Sequence, residues 1–181
     1  EVGWPTHQQT DGVSTAAAAD YVARLYLLAP TYGYIKGIWW YDISNDGSSA
    51  SNAQHNFGLY AQVLPPLFNV WTPKPAACAM IAVNKLQKTF KPISSVRSTD
   101  GVWTVRYDDG QTSTFAVWTE TPGARVNVTV TSSAPSGAPI TASGICRTVS
   151  PAGNGSTSFA IAITNSPTMF STTADNLVLT R

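Results

Sequence analysis

Charged residues are scarce in this sequence. Asp, Glu, Lys and Arg supply only 12% of its 181 residues, about half the usual globular share. A net charge of +1 with no basic run leaves no electrostatic footprint for nucleic acid or an anionic membrane surface. No apolar run reaches the roughly 18–20 residues that a membrane-spanning helix needs. The chain opens Glu-Val-Gly-Trp-Pro, with neither an initiator Met nor a signal peptide. Cysteine occurs twice, at Cys78 and Cys146, a spacing that matches no metal motif. It allows two thiols or a single disulfide. Ser, Thr, Ala, Gly and Asn fill the gap left by charge. This neutral, hydroxyl-rich surface leads us to expect a secreted or periplasmic protein. A hydrophobic share of 43% is enough for a folded core and excludes disorder.

Two periods divide what remains. Up to about residue 88 the pattern alternates between β and α. Ser14 is a good N-cap for a helix over Thr15 to Ala29, with Ala18, Tyr21, Val22, Leu25 and Leu28 at helical spacing and Pro30 closing it. Tyr34 to Tyr41 is an almost continuous apolar strand, the signature of a parallel strand covered on both faces. A Ser/Asn/Asp/Gly-rich loop follows from Asp42 to about Phe57. Pro73 and Pro75 then start a second helix over Ala76 to Leu86, with Ala79, Met80, Val83 and Leu86 on one side. Beyond Phe90 the period is two. Trp103, Val105 and Tyr107 alternate with polar residues, as do Val126, Val128 and Val130, and Phe159, Ile161 and Ile163. Turn signals at Asp100-Gly101, Asp109-Gly110, Pro122-Gly123 and Gly153-Asn154-Gly155 separate them. Six or seven short strands at this spacing predict an antiparallel sandwich. Lys88 to Pro92 is too short for a flexible tether, so the two parts are expected to dock through an apolar interface.

A strand buried on both faces needs partners at both edges, and a β-α-β-α stretch of this length supplies almost none. The expectation is therefore that further strands precede residue 1 in the complete protein.

Chemistry centres on a scarce residue type, since the only glutamates are Glu1 and Glu120. Glu1 precedes Val-Gly-Trp-Pro, which reads as a strand end turning into a loop. The next strand ends at Trp39-Trp40-Tyr41-Asp42. Strand C-terminal ends are where βα barrels hold their catalytic groups. A carboxylate beside an aromatic surface suits sugar chemistry, because it traps an oxocarbenium-like centre while a ring stacks on the pyranose C–H face. Alternation puts Ile38, Trp40 and Asp42 on one strand face and Trp39 and Tyr41 on the other. We assign Trp40 to the barrel mouth, because it shares a face with polar Lys36 and Asp42, and Trp39 to packing under the helices. Trp4, His7, Asp42 and Asp46 join Trp40 as candidate sugar contacts. Asp46 is equally readable as an Asx-turn former, and His55 as a structural hydrogen-bonder. Asn127-Val-Thr129 and Asn154-Gly-Ser156 fit the glycosylation sequon and are treated as accidental.

Five ordered segments carry a resemblance. Glu1-Val-Gly-Trp-Pro-Thr, a helix, Gly37-Ile-Trp-Trp-Tyr-Asp-Ile-Ser-Asn-Asp-Gly47, His55-Asn-Phe-Gly-Leu59 and Pro73-Lys-Pro-Ala76 together resemble the end of clan A glycoside hydrolases. The likeness is to family thirty-nine and related bacterial endoglycosidases that cut exopolysaccharides. The β-rich remainder, with Phe115-Ala-Val-Trp-Thr119 and Ile163-Thr-Asn-Ser-Pro-Thr-Met169, resembles the accessory sandwich behind such barrels. The resemblance implies the last quarter of a (β/α)8 barrel over residues 1–88, an α/β part, followed by an antiparallel β-sandwich over 89–181. Glu1 would close strand seven as nucleophile, the Trp-Tyr-Asp segment would close strand eight, and the Lys-Pro-Ala segment would open the last helix. The general acid/base, a Glu after Asn on strand four, has no counterpart here. Gln54 stands where relatives often carry Glu.

The implied function is a retaining β-glycosidase, endo-acting on a polysaccharide, with no cofactor or metal. Its partners would be an oligosaccharide or polysaccharide substrate and the N-terminal part of the same enzyme, without which these residues are not expected to hydrolyse anything. The alternative is a non-catalytic carbohydrate-binding or matrix protein on the same scaffold. A third reading makes residues 90–181 an independent adhesin-like sandwich.

Overall fold

Helix α1 (Thr15–Leu28) begins where the Ser14 hydroxyl accepts a hydrogen bond from Ala17 N at 3.1 Å, which satisfies one of the donors that a helix start leaves free. The computed structural model describes residues 1–62, 71–132, 138–146, 155–173 and 177–180. A short 3-10 turn at Ala29–Thr31 contains Pro30 and stops the helix. Helix α2 (Pro75–Thr89) starts on a proline, whose missing N–H costs nothing in a first turn. Between the helices lies a small antiparallel pair, β1 (Tyr60–Gln62) and β2 (Trp71–Pro73). The two helices pack together through small residues, Ala18 and Ala23 on one and Ala76, Ala77 and Ala79 on the other.

The second half forms two antiparallel sheets. One contains β3 (Lys91–Arg97), β4 (Val102–Asp108), β5 (Ser113–Thr119), β7 (Thr141–Gly144) and β9 (Thr168–Thr172), in the order β3-β4-β5-β9-β7. The other contains β6 (Val126–Ser132), β8 (Ser158–Ile163) and β10 (Leu177–Thr180), in the order β10-β6-β8. Residues alternate between faces along a strand, and this divides the buried side chains into two cores. Phe115 and Val117 of β5 face the three-stranded sheet with Val128, Val130, Ile140, Phe159, Ile163 and Phe170. Ala116 and Trp118 face the helices, joining Val105, Tyr107, Val22, Leu27 and Val83. Helices, five-stranded sheet and three-stranded sheet are thus three stacked layers, and every residue of β5 is buried.

The halves dock as expected, through a shared apolar core with polar ties at its rim. Tyr107 Oη donates to Leu27 O at 2.6 Å, and Gln87 Nε2 donates to Tyr107 Oη at 3.1 Å. Arg24 Nε donates to Asn165 O at 2.8 Å, and Thr31 Oγ1 to Ser95 Oγ at 2.9 Å. Cys78 of α2 and Cys146, just past β7, form a disulfide across the two halves. It closes 68 residues of chain, which in a chain-entropy account contributes on the order of 4 kcal/mol.

Two expectations need correction. Residues 34–41 form no ladder strand; only Trp40 bridges, in parallel, to Val2. A strand needs a ladder of backbone hydrogen bonds to a neighbour, and among the described residues Val2 is the one bridge partner of this segment. Second, Tyr21, Leu25 and Leu28 of α1 are only partly buried, and the fully buried positions are Ala18, Val22, Ala23 and Leu27. The described residues form a mixed helix and antiparallel-sheet assembly. The turn at Gly153-Asn154 and the sequon at Asn154 lie outside the described residues. No described helix is long and apolar enough to cross a membrane.

If the halves share one core, Trp118→Ala should destabilise the fold by about 3–5 kcal/mol. The helical circular-dichroism signal and the near-ultraviolet aromatic signal should shift together. Separate transitions, with the helices unaffected, would contradict the shared core.

Candidate functional site

The segment that opens the chain lies beside the segment that ends at Tyr41. Val2 N donates to Trp39 O at 2.9 Å and Tyr41 N donates to Val2 O at 2.8 Å, which is the slanted pattern of a parallel pair. Gly3 makes the approach possible, since a Cβ there would meet Tyr41 O at 2.0 Å. Glu1 is exposed immediately before this bridge, and its charge reaches the Tyr41 phenol.

Residues 42–59 form a loop tied at several points. Leu59 N donates to Asp42 O at 2.9 Å and Tyr60 N to Ile43 O at 3.0 Å. The Tyr41 ring packs edge-on against Phe57 at 5.4 Å, and the Tyr41–Asp42 peptide is cis. The Tyr41 hydroxyl donates to Asp46 Oδ2 at 3.0 Å. That bond holds the phenol proton and raises the Tyr41 pKa above its ordinary value, with the Asp46, Asp42 and Glu1 charges acting in the same direction. One carboxylate, Asp46, therefore holds the tyrosine hydroxyl at an exposed edge, with the Asp42 and Glu1 charges acting on it more weakly. Such an edge can hold sugar hydroxyls by charge-assisted hydrogen bonds.

Asp42 and Asp46 lie on the loop that follows Tyr41. Asp46 serves Tyr41, and Asp42 Oδ1 accepts from the backbone N of Ile43. The tryptophans are reversed. Trp40 packs against the helical core and meets Trp4 in a tilted ring contact at 5.6 Å, with its Nε1 buried and unpartnered among the described residues. Trp39 is 69% exposed on the opposite side. Lys36, whose polarity suggested the assignment, reaches back to Gly33 O at 2.6 Å instead of marking a mouth. Trp4 lies between Trp40 and Tyr21, with ring centroids 5.3 Å apart for the latter pair. There it lines an apolar cleft of about 370 Å³ with Tyr21, Leu28 and Trp103, away from Tyr41. His7 is only 5% exposed. Its Nε2 pairs with Asp11 Oδ1 at 2.9 Å, which ties the loop, while its Nδ1 is buried with no hydrogen-bond partner among the described residues. His55 is structural, accepting from Ser49 N at 3.2 Å through Nδ1.

Two residues at this edge escaped the sequence reading. Tyr41 was grouped with Trp39 on the face assigned to packing. Lys74 occupies the N-cap of α2 without making a capping bond. Its Nζ donates to Asn45 Oδ1 at 2.7 Å, Asn56 O at 3.0 Å and Thr6 Oγ1 at 3.1 Å. A cation in a position that favours Ser, Thr, Asp or Asn was the available signal. Among the described residues no three His, Cys, Asp or Glu side chains gather to hold a metal ion.

The chain is similar in fold to two solved glycoside hydrolases. One is a family 39 glycoside hydrolase from the gut symbiont Bacteroides cellulosilyticus WH2, at 24% identity and a TM-score of 0.66, over 94% of this chain and 32% of that one. The other is a GH30 endoxylanase from Clostridium papyrosolvens C71, at 14% identity and a TM-score of 0.52, over 94% of this chain and 42% of that one. The chain thus spans well under half of either structure. No family model and no curated protein matches it.

Because the Asp46 bond is the largest cause of the raised Tyr41 pKa, Asp46→Asn should bring that phenol down toward its ordinary value. Titration of ring-labelled tyrosine by NMR reads this directly. An unchanged Tyr41 titration would show that the bond is not formed in solution.

Proposed function

We propose that the chain is the C-terminal portion of a retaining β-glycosidase, with Glu1 as the nucleophile. The observation that carries this reading is the parallel bridge between Val2 and Trp40. It sets Glu1 beside the end of the next segment, where Tyr41, Asp42 and Asp46 cluster. Adjacent parallel strand ends bearing a carboxylate and polar aromatic groups are the layout of a βα-barrel active face. The fold likeness to two glycoside hydrolases supports the same class.

In this mechanism Glu1 attacks the anomeric carbon and forms a glycosyl ester, which water then hydrolyses. A second carboxyl about 5–5.5 Å away must first protonate the leaving oxygen and then activate the water. Neither Asp42 nor Asp46 suits that task, since one holds the loop backbone and the other the Tyr41 hydroxyl. The acid/base is therefore assigned to the further βα units, roughly six in number, that lie ahead of Glu1 in the complete enzyme. Tyr34, Trp39 and Ile43, which are 77%, 69% and 55% exposed, mark the side on which those units would close. Tyr41 replaces Trp40 as the aromatic group at the mouth, while Asp42 and Asp46 meet sugar hydroxyls. The substrate class is a polysaccharide cut internally. A disulfide and a low-charge surface favour an oxidising, secreted or periplasmic setting.

In the complete enzyme, Glu1→Gln should lower turnover by on the order of 10⁴-fold while leaving the circular-dichroism spectrum unchanged. The first-formed sugar should keep its anomeric configuration by NMR. Wild-type-like turnover in the variant, or an inverted product, would refute the assignment.

A further inference from the structure

We propose that Lys74 is a positioning residue, whose ammonium locks the loop behind Glu1 to the loop that carries Asp42 and Asp46. The inference rests on the glycosidase reading above and extends it to a group that does not touch substrate.

Three observations carry it. The Lys74 Nζ is satisfied by three acceptors from two loops: Thr6 Oγ1 from the segment after Glu1, and Asn45 Oδ1 and Asn56 O from the segment after Tyr41. The same loops touch nearby through Thr6 N to Asn56 O at 3.1 Å and Gln8 N to Ala50 O at 2.7 Å, so Lys74 sits at the seam. Asn45 is itself a hub, its Oδ1 also accepting from Gly58 N at 3.1 Å. It directly precedes Asp46, the acceptor of the Tyr41 hydroxyl.

The second observation is that helix stability gives no reason for the residue. A cation at a helix N-terminus opposes the macrodipole, and Lys74 makes no side-chain cap. The third is that it is half-buried without a counter-ion. No carboxylate forms an ion pair with it among the described residues, and burial pulls its pKa down to about 8. A charge in that setting is costly, and the neutral acceptors that offset the cost belong to the two loops it joins. At neutral pH the ammonium keeps its proton and supplies one donor for each acceptor.

The consequence for turnover is geometric. Glu1 precedes one of the two joined loops, and the Tyr41–Asp46 pair belongs to the other. Shifts on the scale of 1 Å at a reacting centre cost on the order of 10²-fold in rate. Removing the ammonium leaves Thr6, Asn45 and Asn56 without their common donor, and the relative placement of the two loops loosens.

The test uses the complete enzyme that carries these residues, with Lys74→Met, Lys74→Arg and Thr6→Val assayed beside Glu1→Gln. All are measured well below the melting temperature of the least stable variant. Lys74→Met should lower kcat by about 10–100-fold with KM changed much less. Amide hydrogen exchange should quicken in residues 4–8 and 42–58 and stay unchanged in β4 and β5. Lys74→Arg, which keeps charge and donors, should recover most of the loss. Thr6→Val removes one acceptor of the ammonium, together with the Thr6 Oγ1 bond to Asn56 O at 3.2 Å between the same loops, and leaves α2 untouched, so it should lower kcat severalfold even if Lys74→Met fails to fold. A kcat within twofold of wild type for Lys74→Met or Thr6→Val overturns the inference alone, provided Glu1→Gln is inactive. So does an arginine variant as impaired as the methionine one. Absent wild-type glycosidase turnover, or retained turnover in Glu1→Gln, overturns the glycosidase reading and this inference with it.

Discussion

Two main-chain hydrogen bonds, Val2 N to Trp39 O and Tyr41 N to Val2 O, hold the opening segment against the segment that ends at Tyr41. They are the whole of the parallel pairing between the opening segment and the segment ending at Tyr41. Because backbone pairing fixes register, they set Val2 opposite Trp40, with Glu1 opposite Trp39 and Gly3 opposite Tyr41. A one-residue slip would send each side chain to the other face. Gly3 keeps the two backbones close enough to hold that register.

So short a pairing holds because the surrounding structure supports it from behind. Trp40 and Trp4 press onto the core beneath them, and that core continues through Val22, Leu27 and Val83 to Tyr107 and Trp118 of the five-stranded sheet. The sandwich is therefore a floor under the helices, not an appendage swinging on a joint. Its central strand β5 is buried on both faces, with Trp118 toward the helices and Phe115 toward the second sheet. The disulfide between α2 and the segment after β7 adds a covalent tie. Polar ties from Arg24 to Asn165 and from Tyr107 to Leu27 fix the angle between the layers.

Local signals made the helices and most strands readable. Ser14 and Pro75 mark helix starts that the structure keeps. The alternation at Trp103, Val105 and Tyr107 placed β4, though the apolar face of that strand meets the helices. The resemblance to clan A glycoside hydrolases stands at the level of fold. What failed was non-local. Residues 34–41 look like a buried parallel strand because their burial depends on neighbours that these residues do not supply. Orientation along that segment was inferred from Lys36, a flexible cation that bonds its own backbone, and so Trp39 and Trp40 were exchanged. The burial of His7 and the triple bond set of Lys74 depend on residues up to 68 positions away, which no local pattern encodes.

The central claim is that Glu1 becomes covalently bound to sugar. Incubating the complete enzyme with fluorinated glycosides bearing activated leaving groups slows breakdown of a glycosyl ester more than its formation, so the ester accumulates. Digestion and tandem mass spectrometry then locate the added sugar. The account predicts one label per active site, on the carboxylate of Glu1. A label on Asp42, Asp46 or another residue, or turnover that never yields a trapped ester with any glycoside the enzyme accepts, would contradict it.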